Sequence, residues 1–248
     1  MDKDWERLGR LKPEEKVLLC IDMTDGCVRI CADGIRNQFP SITEEELIVK
    51  LRERFEWSKN NRWGEVRLEE YYVFVKKLVN AFESVKLDYA FTGALAVSFY
   101  GVPRTTTDVD VIIAVADETD LKRKITAALK QANLEVDERK IETALTSGYK
   151  IVTFKDKMTP YTVDIILSEA KLDKKSGKIG NLQTFIQSPE DLIAAKLRMI
   201  KATLPPERAN KDKEDIKAIL AFTKLNIIAI RKQAQKDKTL EILEALTT

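Results

Sequence analysis

Apolar residues recur at helical spacing near both ends of the chain, which predicts a helical start and a helical end. The first helix runs from Pro13 to about Asn37 and the second from Glu44 to about Ser58, where Thr43 and Glu46 form a capping box. Further helices are predicted over 67–85, 94–100, 119–131, 188–202, 207–222, 227–236 and 239–246.

The middle of the chain carries short runs rich in β-branched and aromatic residues, bounded by turn residues, and these predict strands. The strands are expected at 89–92, 108–115, 134–136, 149–154, 161–167 and 184–187, with Lys155 to Lys157 as a hairpin turn and Lys171 to Lys178 as a basic loop. Helices at both ends around a group of strands indicate an α+β fold.

The polar stretch from Lys59 to Val66, KNNRWGEV, separates two periodic segments and is typical of a linker. We therefore predict three domains: a helical N-terminal module at 1–64, an α/β core at 65–187 and a helical C-terminal bundle at 188–248. The N-terminal module carries no catalytic constellation, and its polar positions Asp22, Asp25, Arg29 and Asp33 are interpreted as a solvated helix face.

The composition excludes several classes of chemistry. The 248 residues include no histidine, so a Ser-His-Asp triad, a Cys-His pair and a His-ligated metal are ruled out. The net charge of +2 argues against a dedicated nucleic-acid binder. No apolar run approaches the roughly 18 residues of a membrane span, and the first residues lack a signal peptide's apolar core, so we expect a cytoplasmic protein without a membrane partner.

Three cysteines, Cys20, Cys27 and Cys31, lie on one stripe of the first predicted helix. They are interpreted as apolar packing residues, because no CxxC pair and no fourth ligand accompany them. A metal site and an intermolecular redox role are the alternatives.

The motif Asp108-Val109-Asp110 opens an apolar strand and carries the main chemical signal. Alternate residues of a strand share a face, so the two carboxylates would lie roughly 6–7 Å apart and could hold a hard cation such as Mg²⁺. The alternative is a solvated turn. Asp164 interrupts a second β-branched run, and a buried lone charge there would need a partner; an exposed position or a lysine partner is the alternative.

The order Gly93-Ala94, short helix, Gly-x-Pro-Arg-Thr-Thr-x-Asp-x-Asp and apolar strand resembles the nucleotidyltransferase superfamily with the DNA polymerase beta-like fold. That resemblance implies a small mixed sheet flanked by helices. It also implies that Asp108, Asp110 and Asp164 are catalytic metal ligands for Mg²⁺ or Mn²⁺. Contacts to the nucleotide, an NTP such as ATP, are implied for Thr92, Gly93, Ala94 and Arg104, although Ala94 stands where the family usually has Ser or Gly.

The segment from Ser188 to Asp215 resembles the C-terminal part of abortive-infection, toxin-type nucleotidyltransferases. The resemblance implies that Lys196 lines the nucleotide cleft, with an ordinary surface ion pair as the alternative. Lys211 and Asp212 match the family's Lys-Asp-x-x-Asp signature and are implied to orient the nucleotide, whereas Arg208 lies one residue further out than the family's arginine.

Three functions are compatible with these patterns. The first is a Mg²⁺-dependent nucleotidyltransferase that moves an NMP from an NTP to a hydroxyl of a protein, an RNA or a small molecule, with a toxin-antitoxin role and an antitoxin or a second copy as partner. The second is a catalytically weak relative that acts as a binding or regulatory module. The third, an RNA-binding adaptor that uses the basic loop Lys171–Lys178, is disfavoured by the near-neutral charge.

Overall fold

The computed structural model describes residues 3–58, 70–115, 118–148 and 150–247. The helices are α1 (Lys3–Gly9), α2 (Pro13–Gln38), α3 (Glu44–Ser58), α4 (Glu70–Ser84), α5 (Gly93–Tyr100), α6 (Glu118–Gln131), α7 (Glu138–Thr146), α8 (Pro189–Ala202), α9 (Asn210–Phe222), α10 (Ile227–Lys236) and α11 (Leu240–Thr247). The strands are β1 (Tyr89–Phe91), β2 (Asp108–Ala114), β3 (Ile151–Lys155), β4 (Thr162–Ser168), β5 (Lys174–Ile179) and β6 (Leu182–Gln187).

The chain divides into two compact units. The sheet unit comprises Leu18–Phe91 and Arg104–Leu172. The helical unit comprises Met1–Val17, Thr92–Pro103 and Asp173–Thr248. The boundary predicted at residue 64 lies outside the described residues, so the three-domain division stays a prediction.

The sheet unit contains four strands in the order β3-β4-β2-β1. Strands β2 and β4 are parallel, whereas β1 pairs with β2 and β3 pairs with β4 in antiparallel fashion. This mixed sheet among helices confirms the predicted α+β class. Its core is aromatic, with Tyr71, Phe74, Phe82, Tyr89, Phe91 and Tyr161 completely buried.

The helical unit contains the β5–β6 antiparallel hairpin and helices α5 and α8 to α11. Leu197 of α8 and Ile216 and Ile219 of α9 are fully buried in its core. Gly101, directly after α5, lies so close to α9 that an added Cβ would stand 2.9 Å from the Ala218 Cβ atom. This close approach requires glycine.

Most predicted elements are present with shifts of a residue or two, and the starts predicted at 67 for the third helix and at 149 for a strand lie outside the described residues. Three predictions of secondary structure were wrong. Lys174 to Ile179 form strand β5, where a loop was expected, because pairing with β6 satisfies the backbone of a lysine-rich segment. The strand expected at 134–136 is only an isolated bridge between Leu134 and Asp156. The helix expected from Glu207 begins as a 3-10 turn, Pro206–Ala209, and α9 follows it.

Helix α7 was not anticipated from the sequence. Across the described ranges, no helix combines the length and hydrophobicity that crossing a bilayer would need.

Candidate active site

Asp108 and Asp110 lie on one face of β2. Burial alternates along this strand, with Val109, Val111 and Ile113 fully buried on one face and both aspartates half-buried on the other. The apolar positions face the core, so the strand has only one orientation in which both carboxylates reach the accessible face.

Asp164 lies on the neighbouring strand β4, directly beside Asp110. The two residues are Cα partners in the parallel β2–β4 pair, and β4 shows the same alternation with Asp164 half-buried. Paired residues of adjacent strands lie on the same face of a sheet. The structure therefore brings all three predicted carboxylates, from Asp108, Asp110 and Asp164, to one face of the sheet unit.

Two threonine hydroxyls bind these carboxylates. The Thr106 hydroxyl donates to the Asp108 carboxylate. The Thr153 hydroxyl of β3 donates to Asp164 Oδ1 at 2.6 Å. Within the described ranges, no three carboxylate or thiol side chains converge closely enough to hold a metal ion. The backbone register thus suits a shared cation, but the side chains do not converge on one point in these rotamers.

Buried tyrosines support this face from beneath. The Tyr71 hydroxyl donates to the backbone carbonyl of Asp108 at 3.1 Å. Burial is the main cause that raises the pKa of Tyr71, and the nearby charges of Cys20, Asp108 and Asp110 raise it further. The Tyr71 hydroxyl therefore keeps its proton and remains a donor. The Tyr71 and Tyr161 rings pack edge to face with centroids 4.9 Å apart.

The hydrogen-bond network of these tyrosines includes Asp25 of α2. The burial of Asp25 was not predicted from the sequence. Asp25 was assigned to a solvated helix face, yet it is 0% exposed. One oxygen, Asp25 Oδ1, accepts hydrogen bonds from the Tyr71 amide at 3.0 Å and the Tyr161 hydroxyl at 2.9 Å. No local pattern could have revealed this, because the partners lie 46 and 136 residues away.

The Gly93 turn belongs to the helical unit. Gly93 has φ 55°, a left-handed conformation that favours glycine, and it begins α5. The preceding Thr92 hydroxyl donates to Gln187 Oε1 at 2.5 Å. Ala94 is 2% exposed, so its methyl group packs inside the protein. Arg104, in the sheet unit, is half-buried.

Lys196 lies in a buried ion cluster of the helical unit. Its ammonium contacts Asp212 Oδ1 and Asp215 Oδ2, each at 2.7 Å. The side chains of Lys196 and Asp215 are 7% and 5% exposed. Lys196 is therefore not in the surface ion pair that the sequence offered as an alternative, and its ammonium does not face solvent. Lys211, on the same helix as Asp212, is exposed.

The cysteines of α2 differ in burial. Cys20 and Cys31 are buried, as expected for packing residues, and Cys27 is half-buried. None of the three forms a disulfide bond.

Comparison with known proteins gives structural likeness only. No family model matches the chain, and no curated protein matches it. The fold is similar to an antigenic nucleotidyltransferase-like protein from Paracoccidioides brasiliensis, at 18% identity over 71% of this chain and 92% of that one, with a TM-score of 0.45.

Two solved structures of ANT(2″)-Ia are also similar. The crystal structure in complex with adenylyl-2″-tobramycin has 14% identity over 66% of this chain and 95% of that one, with a TM-score of 0.48. The solution structure of this antibiotic-resistance factor has 12% identity over 72% and 97%, with a TM-score of 0.48. Each of these three TM-scores lies below 0.5.

Proposed function

We propose that this protein is a divalent-metal-dependent nucleotidyltransferase that moves an NMP from an NTP to a hydroxyl acceptor. The observation that carries the proposal is the register of β2 and β4, which pairs Asp110 with Asp164 on the face that also carries Asp108. Three adjacent carboxylates repel one another, and a shared cation offsets that repulsion.

The donor set fits a hard cation. Oxygen ligands from carboxylates suit Mg²⁺ or Mn²⁺, and the half-buried face leaves room for water and phosphate ligands. Asp108, Asp110 and Asp164 would hold the metal, with the hydroxyls of Thr106 and Thr153 orienting the carboxylates of Asp108 and Asp164. When bound, the metal supplies positive charge that activates the attacking oxygen and stabilises the leaving pyrophosphate.

The reaction is a substitution at the α-phosphorus of the NTP. The acceptor hydroxyl oxygen forms a bond to that phosphorus, the bond to the β-phosphate bridging oxygen breaks, and pyrophosphate leaves. The acceptor hydroxyl gives its proton to the carboxylate of Asp164, to which we assign the role of general base on the acceptor side. Asp108 and Asp110 would hold the metal on the nucleotide side, where its positive charge would offset the negative charge of the phosphates.

The nucleotide contacts are a separate part of the proposal. We propose that Thr92, Gly93 and Ala94 approach the phosphates, supported by the left-handed turn at the start of α5. Arg104 would add positive charge. The nucleotide roles of Lys196, Lys211 and Asp212 stay predictions; the Lys196 ammonium is already bound by two carboxylates, which favours an indirect role.

The biological setting is proposed from the resemblance in the sequence. A toxin-antitoxin role, ATP as the donor, a protein, RNA or small-molecule acceptor, and an antitoxin or a second copy as partner are all proposals. A cytoplasmic location also stays a prediction.

A catalytically weak binding or regulatory module is the second candidate. It is favoured by two observations: Ala94 offers no hydroxyl at the phosphate turn and is 2% exposed, and no three metal-binding side chains converge among the described residues.

Label transfer separates the two functions. The protein is incubated with each α-labelled NTP, Mg²⁺ or Mn²⁺, and total RNA or protein. We expect metal-dependent transfer by the wild type and by Asp120→Asn, a control that removes a surface carboxylate ion-paired to Arg123 and Lys124. Asp110→Asn and Asp164→Asn should reduce transfer at least about 100-fold, as removal of charge stabilisation does in other enzymes.

Unchanged transfer in Asp110→Asn would contradict the metal-site proposal. Nucleotide binding without transfer by the wild type would favour the binding module.

A further inference from the structure

Thr24 and Asp25, adjacent residues of α2, contact the segments that lead into both carboxylate-bearing strands. Both residues are fully or almost fully buried, at 1% and 0% exposure. Their hydrogen-bond partners, which are Cys20, Thr106, Tyr71 and Tyr161, all belong to the sheet unit.

Thr24 holds the segment before β2. The Thr106 amide donates to the Thr24 hydroxyl oxygen at 3.2 Å, and the Thr24 hydroxyl in turn donates to the Cys20 carbonyl at 2.7 Å. The side chain of Thr106 donates to the Asp108 carboxylate. Thr24 therefore fixes the backbone of Thr106, and Thr106 in turn orients the carboxylate of Asp108, a predicted metal ligand.

Asp25 connects both strands through a single oxygen. Oδ1 accepts from the Tyr71 amide, and the Tyr71 hydroxyl donates to the Asp108 carbonyl. The same Oδ1 accepts from the hydroxyl of Tyr161, which directly precedes β4 and lies three residues before Asp164. Movement of this carboxylate would therefore disturb the starts of β2 and β4 together.

We propose that Thr24 and Asp25 are positioning residues that fix the starts of β2 and β4, and with them the backbone positions from which Asp108 and Asp164 would bind one divalent cation. This inference rests on the proposed nucleotidyltransferase function. Buried hydrogen bonds fix geometry tightly, and ligands displaced by a fraction of an ångström bind a metal less well. On this proposal α2 supports the active site through Thr24 and Asp25, although the sequence suggested a separate helical module.

The test measures Mn²⁺ affinity by calorimetry on the full chain, under conditions in which urea unfolding shows each variant to be fully folded. Tyr161→Phe removes one donor to Asp25, and Thr24→Val removes the hydroxyl that binds Thr106. The matched control is Tyr89→Phe, which removes a buried tyrosine hydroxyl of the same unit that donates to Glu83 at 2.9 Å.

We expect Tyr161→Phe and Thr24→Val to weaken Mn²⁺ binding about tenfold, as loss of one such hydrogen bond would do, and Tyr89→Phe to change it less than twofold. Asp25→Ala should weaken binding further, whereas Asp25→Asn keeps Oδ1 as an acceptor and should restore it to within about threefold. If Asp25→Ala does not fold, the tyrosine and threonine variants still decide.

The outcomes distinguish the two proposals. Wild-type affinity in both Tyr161→Phe and Thr24→Val, or an equal loss in Tyr89→Phe, overturns the positioning role and leaves the proposed function standing. Absence of Mn²⁺ binding by the wild type overturns both.

Discussion

Asp110 and Asp164 are Cα partners on neighbouring parallel strands and share the half-buried face of the sheet. Adjacent strands lie about 4.8 Å apart, so two ionised carboxylates at paired positions repel each other unless a cation lies between them. Two carboxylates that are far apart in the sequence therefore lower the stability of the metal-free protein, and a bound cation should remove that cost.

Replacing Asp110 by Asn should stabilise the metal-free protein by roughly 0.5–1 kcal/mol, because it removes one of two like charges at paired positions. The wild type should gain about 2.7 kcal/mol when Mg²⁺ is present at 100 times its dissociation constant, and the variant should gain much less. Urea unfolding with and without Mg²⁺ measures both effects. Equal gains in the two proteins would show that Asp110 does not bind the metal.

Lys196 should be far more important for stability than a surface lysine. Lys196→Met leaves Asp212 and Asp215 without their shared cation in a poorly solvated place, which costs about 3–5 kcal/mol. Further substitution of both aspartates by Asn should recover most of that loss, because no uncompensated charge remains. Lys217→Met, at an exposed position of the same helix as the aspartates, is the surface control. A loss below 1 kcal/mol in Lys196→Met would mean that water reaches the cluster.

Lys16 should make stability depend on pH in the alkaline range. Burial lowers the pKa of Lys16 to about 8, and its ammonium has only the Tyr100 carbonyl at 3.4 Å and the Phe222 ring, centred 5.8 Å away, in the contacts described. Between about pH 8 and the pKa near 10.4 of an unfolded lysine, the unfolded state binds more protons, so stability rises with pH. Below pH 8 the lysine is charged in both states, and the cost of burying the charge is present in full.

The variant Lys16→Met isolates this effect. It should be more stable than the wild type at pH 7, and its advantage should shrink by up to about 1.4 kcal/mol per pH unit between pH 8 and 10. Urea unfolding of both proteins across pH 6.5–10 gives the difference curve, in which other titrating groups cancel. A flat difference curve would contradict the lowered pKa.

Two glycines should respond oppositely to a methyl group. A Cβ on Gly101 would meet the Ala218 Cβ at 2.9 Å and backbone atoms at 3.1 Å, so Gly101→Ala should cost about 1–3 kcal/mol. Gly26, inside α2, has nothing within 4 Å of such an atom, and Gly26→Ala should stabilise by roughly 0.5–1 kcal/mol. Thermal unfolding of both variants is sufficient. Destabilisation by Gly26→Ala would indicate an unrecognised contact of α2.

Sequence patterns predicted most helices and strands and the three candidate carboxylates, but not the buried residues that hold those carboxylates in place. The apolar, β-branched runs in 108–115 and 161–167 predicted β2 and β4, and in the structure the residues of each strand alternate between a buried and a half-buried face. Strand β5 was missed because its lysines hide the alternation; Lys174 lies over the Phe185 ring at 4.0 Å, and pairing with β6 decides its conformation. The burial of Asp25 depends on partners distant in the sequence, which no local periodicity encodes.

Removing residues 1–64 tests whether the N-terminal helices form a separate module. Arg52 of α3 donates to the carbonyls of Asp156 and Thr159, the latter at 3.1 Å, and Asp25 of α2 binds Tyr71 and Tyr161. A fragment of residues 65–248 would leave these buried groups without their partners, at about 1–3 kcal/mol for each unsatisfied group. We therefore expect the fragment to unfold at a clearly lower temperature than the full chain and to lose Mn²⁺ affinity. A fragment that matches the full chain in both measurements would support the division predicted from the sequence, and it would also contradict the positioning role of α2, because the site would then hold its geometry without Thr24 and Asp25.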